Sequence, residues 1–150
     1  MREPRAIPEL FLYRLMQLAS AARPAVVRLC EREWGITRRE WGVVGLVAEN
    51  DGLQPSALAE RALLDRARAS RVIGALVDKG LVLRRPVPGN RREATLHLTE
   101  RGRACYDALL PQVAAINREL LSVLSDAEVA GLDEALRRLT AQAGSLGERP

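Results

Sequence analysis

The sequence predicts a mainly helical α+β fold: six helical segments and one short antiparallel ribbon. Three observations lead there. Aromatic residues are only 3% of a chain that is 47% apolar, so the core must be built from Leu, Val and Ala, a composition that favours helix. Apolar residues recur at helical spacing through most of the 150 residues. One stretch breaks that rhythm: after a Pro-Gly-Asn turn, Ala94, Leu96 and Leu98 alternate with Thr95 and His97. A chain of this length buries roughly two-thirds of its unfolded surface, so it needs no metal or disulfide to fold.

Residues 8–33 read as one long helix, with Leu10, Leu12, Leu15, Leu18, Ala22, Val26 and Leu29 recurring loosely at helical spacing and a kink expected at Pro24. Thr37 and Glu40 have capping-box spacing at the start of a second helix, whose Trp41, Val44 and Val47 share a face. "ENDGL" ends it with turn chemistry. Pro55 suits a first helical position, so a short helix is expected over 55–61, followed by a break at 62–64. A further helix is expected over about 65–78, with Asp65 as N-cap, Gly80 in the left-handed position beyond it, and Val72, Leu76 and Ile73 facing the core. Two helices joined by a three- or four-residue turn have helix-turn-helix spacing.

Strands are expected at 81–86 and 93–98, flanking Pro88, Gly89 and Asn90. Thr99 then caps a long helix carrying Tyr106, Leu109, Leu110, Val113, Ile116, Leu120 and Leu121, with a bend expected at Pro111. Ser125 and Glu128 form a second capping box, opening a last helix with Val129, Leu132, Leu136 and Leu139 on one stripe. The last few residues are expected to fray. The domain organisation follows: an N-terminal helix over 1–35, a helix-turn-helix with its ribbon over 36–100, and C-terminal helices over 101–146, forming one intertwined domain.

The charge is local. Residues 61–103 hold 11 basic and 4 acidic residues, a net +7, while the rest of the chain is net −3. Clustered charge of this kind suits a polyanion. All but one of the basic residues are arginine, which matches phosphate and guanine edges with two parallel hydrogen bonds. At the start of the helix over 65–78, Arg66, Arg68 and Arg71 alternate with small residues, Ser70 among them, which would let the helix sit deep in a major groove. A ribbon this short and charged does not stand alone in water. Placed directly after a helix-turn-helix it makes a wing, with Asn90, Arg91 and Arg92 at its tip over backbone or minor groove. Ser56 and the amides beside it would contact a phosphate. The bland alternative is a solvated charged face.

The stretch "LQPSALAERALLDRARASRVIGALVDKGLVLRRPVPGNRREATLHLTERGR" resembles the MarR family of bacterial transcription regulators. The matching features are "LAE", the exit "L-x-x-KGLV-x-R" from Leu76 to Arg84, "LT-x-x-G" from Leu98 to Gly102, and the leading "GIT-x-x-x-W". Asn90 stands where the family usually has Asp. The resemblance implies a winged helix-turn-helix with long N- and C-terminal dimerisation helices. It implies a homodimer on pseudo-palindromic double-stranded DNA, and a regulator, most simply a repressor, released by a small phenolic or aromatic-acid effector. It also implies a cytoplasmic bacterial protein associated with the nucleoid. The family's effector pocket lies between the first, second and fifth helices, which draws in Trp34 and Trp41, with Arg14, Arg28 or Arg32 as a partner for an acid group.

Two other function classes remain open in the sequence: a thiol-responsive regulator acting through Cys30 or Cys105, and a winged-helix protein-interaction module. No signal-peptide pattern or membrane-length apolar run is seen, and two cysteines are too few for a disulfide scaffold. The single histidine, His97, lacks the companions that a metal site or a Ser-His-Asp constellation needs, and no glycine-rich phosphate loop occurs. No enzyme, metal or cofactor is expected.

Overall fold

The computed structural model describes residues 3–87 and 89–147, and at Arg91 and Arg92 it describes the backbone alone. The described residues run α1 (Phe11–Trp34), α2 (Arg38–Glu49), α3 (Pro55–Arg61), α4 (Arg66–Asp78), β1 (Val82–Val87), β2 (Asn90–Leu98), α5 (Glu100–Leu121) and α6 (Asp126–Gly147). They divide into two compact units, the first ending at Val113 and the second beginning at Ala114.

The first helix begins later than expected. Residues Ile7–Glu9 form a 3-10 turn, and Leu10 is extended, so α1 starts at Phe11. Pro24 lies within α1 and Pro111 within α5, and both helices continue through them. The capping box of α2 is formed: Thr37 Oγ1 accepts from the Glu40 amide at 3.1 Å, and Glu40 Oε2 accepts from the Thr37 amide at 2.7 Å.

α3 and α4 end on the same hydrogen-bond pattern. After α3, the Leu64 amide reaches back to Ala59 O and the Leu63 amide to Glu60 O; after α4, Leu81 reaches Leu76 O and Gly80 reaches Val77 O. This pattern puts one residue in the left-handed region. It is Gly80 (φ +67°) after α4, as expected, but Leu63 (φ +54°) after α3. Asp65 caps α4 by accepting from the Arg68 amide at 2.8 Å. The buried face of α4 is Ala69, Ile73 and Leu76. Val72, expected in the core, is only half-buried, because the i, i+4, i+7 stripe runs through Ala69 instead.

β1 and β2 pair antiparallel, with Val82 opposite Leu98 and Arg84 opposite Leu96. β2 begins at Asn90, three residues before the expected start. Ladder bonds are made by backbone, so the charged run Arg91-Arg92-Glu93 hides a strand from a hydrophobic pattern. Pro88 of the expected turn lies outside the described residues, as do the last three residues. The ribbon is tied to the body at the turn after α2: Gly52 N donates to Leu96 O at 3.0 Å and Leu96 N to Leu53 O at 2.9 Å.

Leu58, Leu76, Leu81 and Leu96 are fully buried at the centre of this head, with Leu109 of α5. The Thr99 hydroxyl accepts from the Gly102 amide at 2.8 Å and donates to Gly80 O at 2.7 Å, so it starts α5 and ties it to the end of α4. Gly102 is required there: a Cβ on it would lie 2.0 Å from Leu81 O. In the second unit, Ser125 and Glu128 form the expected capping box of α6. No described residue of α6 is buried, and Leu132, Leu136 and Leu139 are exposed.

Candidate nucleic-acid interface

The outward face of α4 carries Arg66, Arg68, Ser70 and Arg71, all exposed. They do not point one way. Arg66 and Ser70 face the wing, where a cleft of about 400 Å³ is lined with Ser56 of α3 and Arg84 and Glu93 of the ribbon. Arg68 and Arg71 face the other flank, where a cleft of about 810 Å³ is lined by Arg23 of α1 and Arg38 and Arg39 of α2. The expected pairing of Arg68 with Arg71 on one face is therefore found. Arg68 Nε lies 3.2 Å from the Asp65 carboxylate and Arg71 Nε donates to Ala67 O at 3.4 Å, so both heads are held near the helix start. The side chains of Arg91 and Arg92, named from the sequence for the wing tip, lie outside the described residues. Asn90 opens β2 at the tip, paired with Val87.

Sequence reasoning missed Arg84, Arg23, Arg38 and Arg39. Arg84 stands opposite Leu96 in the ribbon, so strand alternation could have placed it on the wing side. The other three come from helices remote in sequence from α4, and no local pattern announces them.

The angle of α4 is set by a polar latch. Lys79, the only lysine in the chain, follows α4 directly. Its Nζ donates to Gly35 O at 2.9 Å and to the Glu40 carboxylate at 2.8 and 3.0 Å. A compact ammonium has three donors, and three acceptors meet it here, a geometry a planar guanidinium does not reproduce. Burial pushes the Glu40 carboxyl up, but the Lys79 hydrogen bond, the Thr37 amide and the Lys79 charge outweigh it and hold it below its ordinary value. The ends of α1, α2 and α4 are thereby joined at one point.

His97 ties the wing base to the turn after α2. Its Nδ1 is 2.8 Å from Asp51 Oδ1, and its Nε2 is 3.0 Å from Thr95 Oγ1.

Trp34, Trp41 and Arg14, expected to line an effector pocket, do not converge within one protomer. Trp41 is buried and stacked on Tyr106 at 5.7 Å between ring centres. Trp34 is half-buried at the end of α1. Arg14 is twenty residues earlier on the same helix, about 30 Å away at 1.5 Å per residue, with its Nε donating to Pro8 O. Tyr106 also carries the Arg103 guanidinium over its ring at 5.7 Å and donates its hydroxyl to Glu49 at 3.3 Å. Cys30 and Cys105 are fully buried and free. Burial raises both thiols, Cys105 to about 11, so neither is a thiolate at neutral pH. Among the described residues, no three His, Cys, Asp or Glu side chains gather as a metal would require, and no helix is long and apolar enough to cross a membrane.

The chain is similar to known proteins. A family model described as MarR family matches residues 34–93. The chain is 34% identical over 108 residues to a "Putative transcriptional regulatory protein for hcr operon" of Thauera aromatica, covering 72% of this chain. It spans 65% of that relative's length, just under two thirds. It is 30% identical over 111 residues to the "HTH-type transcriptional regulator FarR" of Neisseria gonorrhoeae, covering 67% of this chain and 76% of that one. Among solved structures, a "probable transcriptional regulator from Pseudomonas aeruginosa" superposes with a TM-score of 0.77 at 25% identity, covering 89% of this chain and 99% of that one.

Proposed function

This chain belongs to the MarR family, and from that premise we propose that it is a homodimeric, sequence-specific DNA-binding regulator of transcription, acting as a repressor. The observation that carries the reading is the outward face of α4. Four polar or cationic side chains stand exposed on a helix whose opposite face is locked into the core, with a ribbon braced beside it. Arg68 and Arg71 contact base edges or phosphates in the major groove. Arg66, Ser70 and Ser56 take the phosphates on the wing side, and Asn90, Arg91 and Arg92 reach the minor groove beyond.

Two half-sites require two heads. The exposed leucines of α1, and separately those of α6, are apolar faces on which a second copy would pack, giving one intertwined dimer. An effector pocket holding Arg14 beside Trp34 would take its Arg14 from the second copy, because one helix cannot bring both of its ends together. The Trp41–Tyr106 stack, with Arg103 over it, supports a small aromatic acid as the effector class. The setting would be the bacterial cytoplasm, at the nucleoid. The buried, protonated cysteines do not favour the thiol-responsive alternative, and the exposed side chains of the first half of α4 are polar or charged apart from Ala67, which does not favour protein docking there.

The test is selection from a random duplex library at physiological salt. The expected product is an inverted repeat with half-sites about 10 base pairs apart, centre to centre. The Arg68→Ala, Arg71→Ala double variant should lose about 1–3 kcal/mol per base contact and relax the preference at those positions. Recovery of no preferred sequence, or unchanged affinity in the double variant, would sink the reading.

A further inference from the structure

A helix filling the major groove has a phosphate strand on each side of it. α4 with its side chains is about 10–12 Å across and the groove about 12 Å wide, so both strands run along its flanks. On the wing side, Ser56, Arg66, Ser70 and Arg84 line that flank. On the other flank the protein has built a second and larger basic wall. Arg38 and Arg39 form the first two residues of α2, and Arg23 faces them from α1 across the cleft that Arg68 and Arg71 close. All five arginines are exposed. Among the described residues, no ion pair engages Arg23, Arg38 or Arg39. Of the two carboxylates on the same wall, Glu40 is already held by Lys79. Arg68 keeps Asp65 and Glu31 also lines the cleft, but five arginines outnumber these carboxylates, and an external anion would relieve the excess positive charge.

We propose that Arg38 and Arg39, with Arg23, are a second DNA-backbone clamp, gripping the phosphate strand on the α2 flank of α4. The inference rests on the DNA-binding reading above and adds three contacts to it. The wall's chemistry favours a polyanion over a small effector. Enclosed small-molecule sites are mostly apolar and aromatic, whereas Val27, Val72 and Ala75 are the apolar lining here and no aromatic ring contributes. The Lys79 latch fixes the α2 end beside α4, so the two walls are held at constant separation.

The experiment is the salt dependence of binding to the selected duplex, for the wild type, for Arg38→Gln with Arg39→Gln, and for Arg38→Lys with Arg39→Lys. A contact to phosphate contributes about 0.9 to the slope of log affinity against log salt. With two protomers on the duplex the Gln pair removes four such contacts, so it should lower the slope by about 3.6 and weaken all sequences alike, leaving the preference for the selected site over a mutated half-site intact. The Lys pair should keep the slope, since a point charge satisfies phosphate. Three results would overturn the clamp: an unchanged slope in the Gln pair with the wild type binding normally; a selective loss of base preference; or an unchanged slope with loss of benzoate binding by calorimetry, which would mark the cleft as a small-anion site. A wild type that binds no DNA overturns the functional reading itself, and the clamp with it. Thermal melts of both pairs verify that the fold is retained.

Discussion

The winged head and the long helices treat the same residue type in opposite ways. Leu58, Leu76, Leu81 and Leu96 of the head are fully buried, each closed in by helices and ribbon of the same chain. In the first half of α1, Leu12 is 74% exposed and Met16 and Leu18 are also open, while in the second unit Val123 is 84% exposed and the leucine stripe of α6 lies in water. Apolar stripes of that length cost stability when left hydrated. The head is thus sufficient to itself, while the long helices leave apolar side chains exposed. In the proposed dimer, a leucine of the head contributes within one protomer and a leucine of the long helices contributes to the assembly.

The sharpest way to break this contrast is to substitute leucines of each kind. Leu76→Ala should cost about 3 kcal/mol in chemical denaturation, by lost burial and the cavity left behind, at any protein concentration. Leu132→Glu with Leu136→Glu should leave the head's core untouched, yet halve the sedimenting mass and abolish the dependence of the melting temperature on protein concentration. Equal, concentration-independent losses from both would erase the distinction.

The latch comes next. Lys79→Met leaves the Glu40 carboxylate, only 6% exposed, without its cation, and should cost about 2 kcal/mol, reduced from a fully buried pair because Lys79 is partly open to solvent. The pH dependence follows from the direction of the Glu40 shift. Its carboxyl is held below the ordinary 4.5, so the pair stabilises the head fully above that value and fades as pH falls through the lowered pKa. The gap between wild type and variant should be widest near neutrality and close in acid. A gap that widens in acid would contradict the assignment.

The smallest effect has the opposite sign. Leu63 occupies the position that Gly80 fills after α4, with a positive φ and a side chain 93% exposed. Neither backbone nor burial rewards a leucine there. Leu63→Gly should stabilise the head by about 1 kcal/mol, read as a raised denaturation midpoint.

Local features were more legible than long-range ones, and the reason is physical. Caps act within four residues, so Thr37 with Glu40, Asp65, and Ser125 with Glu128 are local signals, and each is formed as expected. The turn between α3 and α4 and the left-handed Gly80 are local as well. What the sequence hid depends on distant segments. The bridge from Leu53 to Leu96, the latch from Lys79 to Glu40, and the meeting of Arg23, Arg38 and Arg39 with α4 join residues tens of positions apart. The start of β2 was hidden because its first residues are charged, and the true start of α1 because an extended Leu10 leaves no mark on hydrophobic spacing. Arg14 and Trp34 share a helix in the sequence, yet the rise of that helix separates them.

The proposed function requires two heads carried by paired arms. Sedimentation equilibrium of the full chain with a duplex bearing the selected inverted repeat tests it most directly. Two chains per duplex, with no one-chain complex at any ratio and a dimer when DNA is withheld, is the predicted result. A single chain bound per duplex, or a chain that remains monomeric at micromolar concentration, would contradict it.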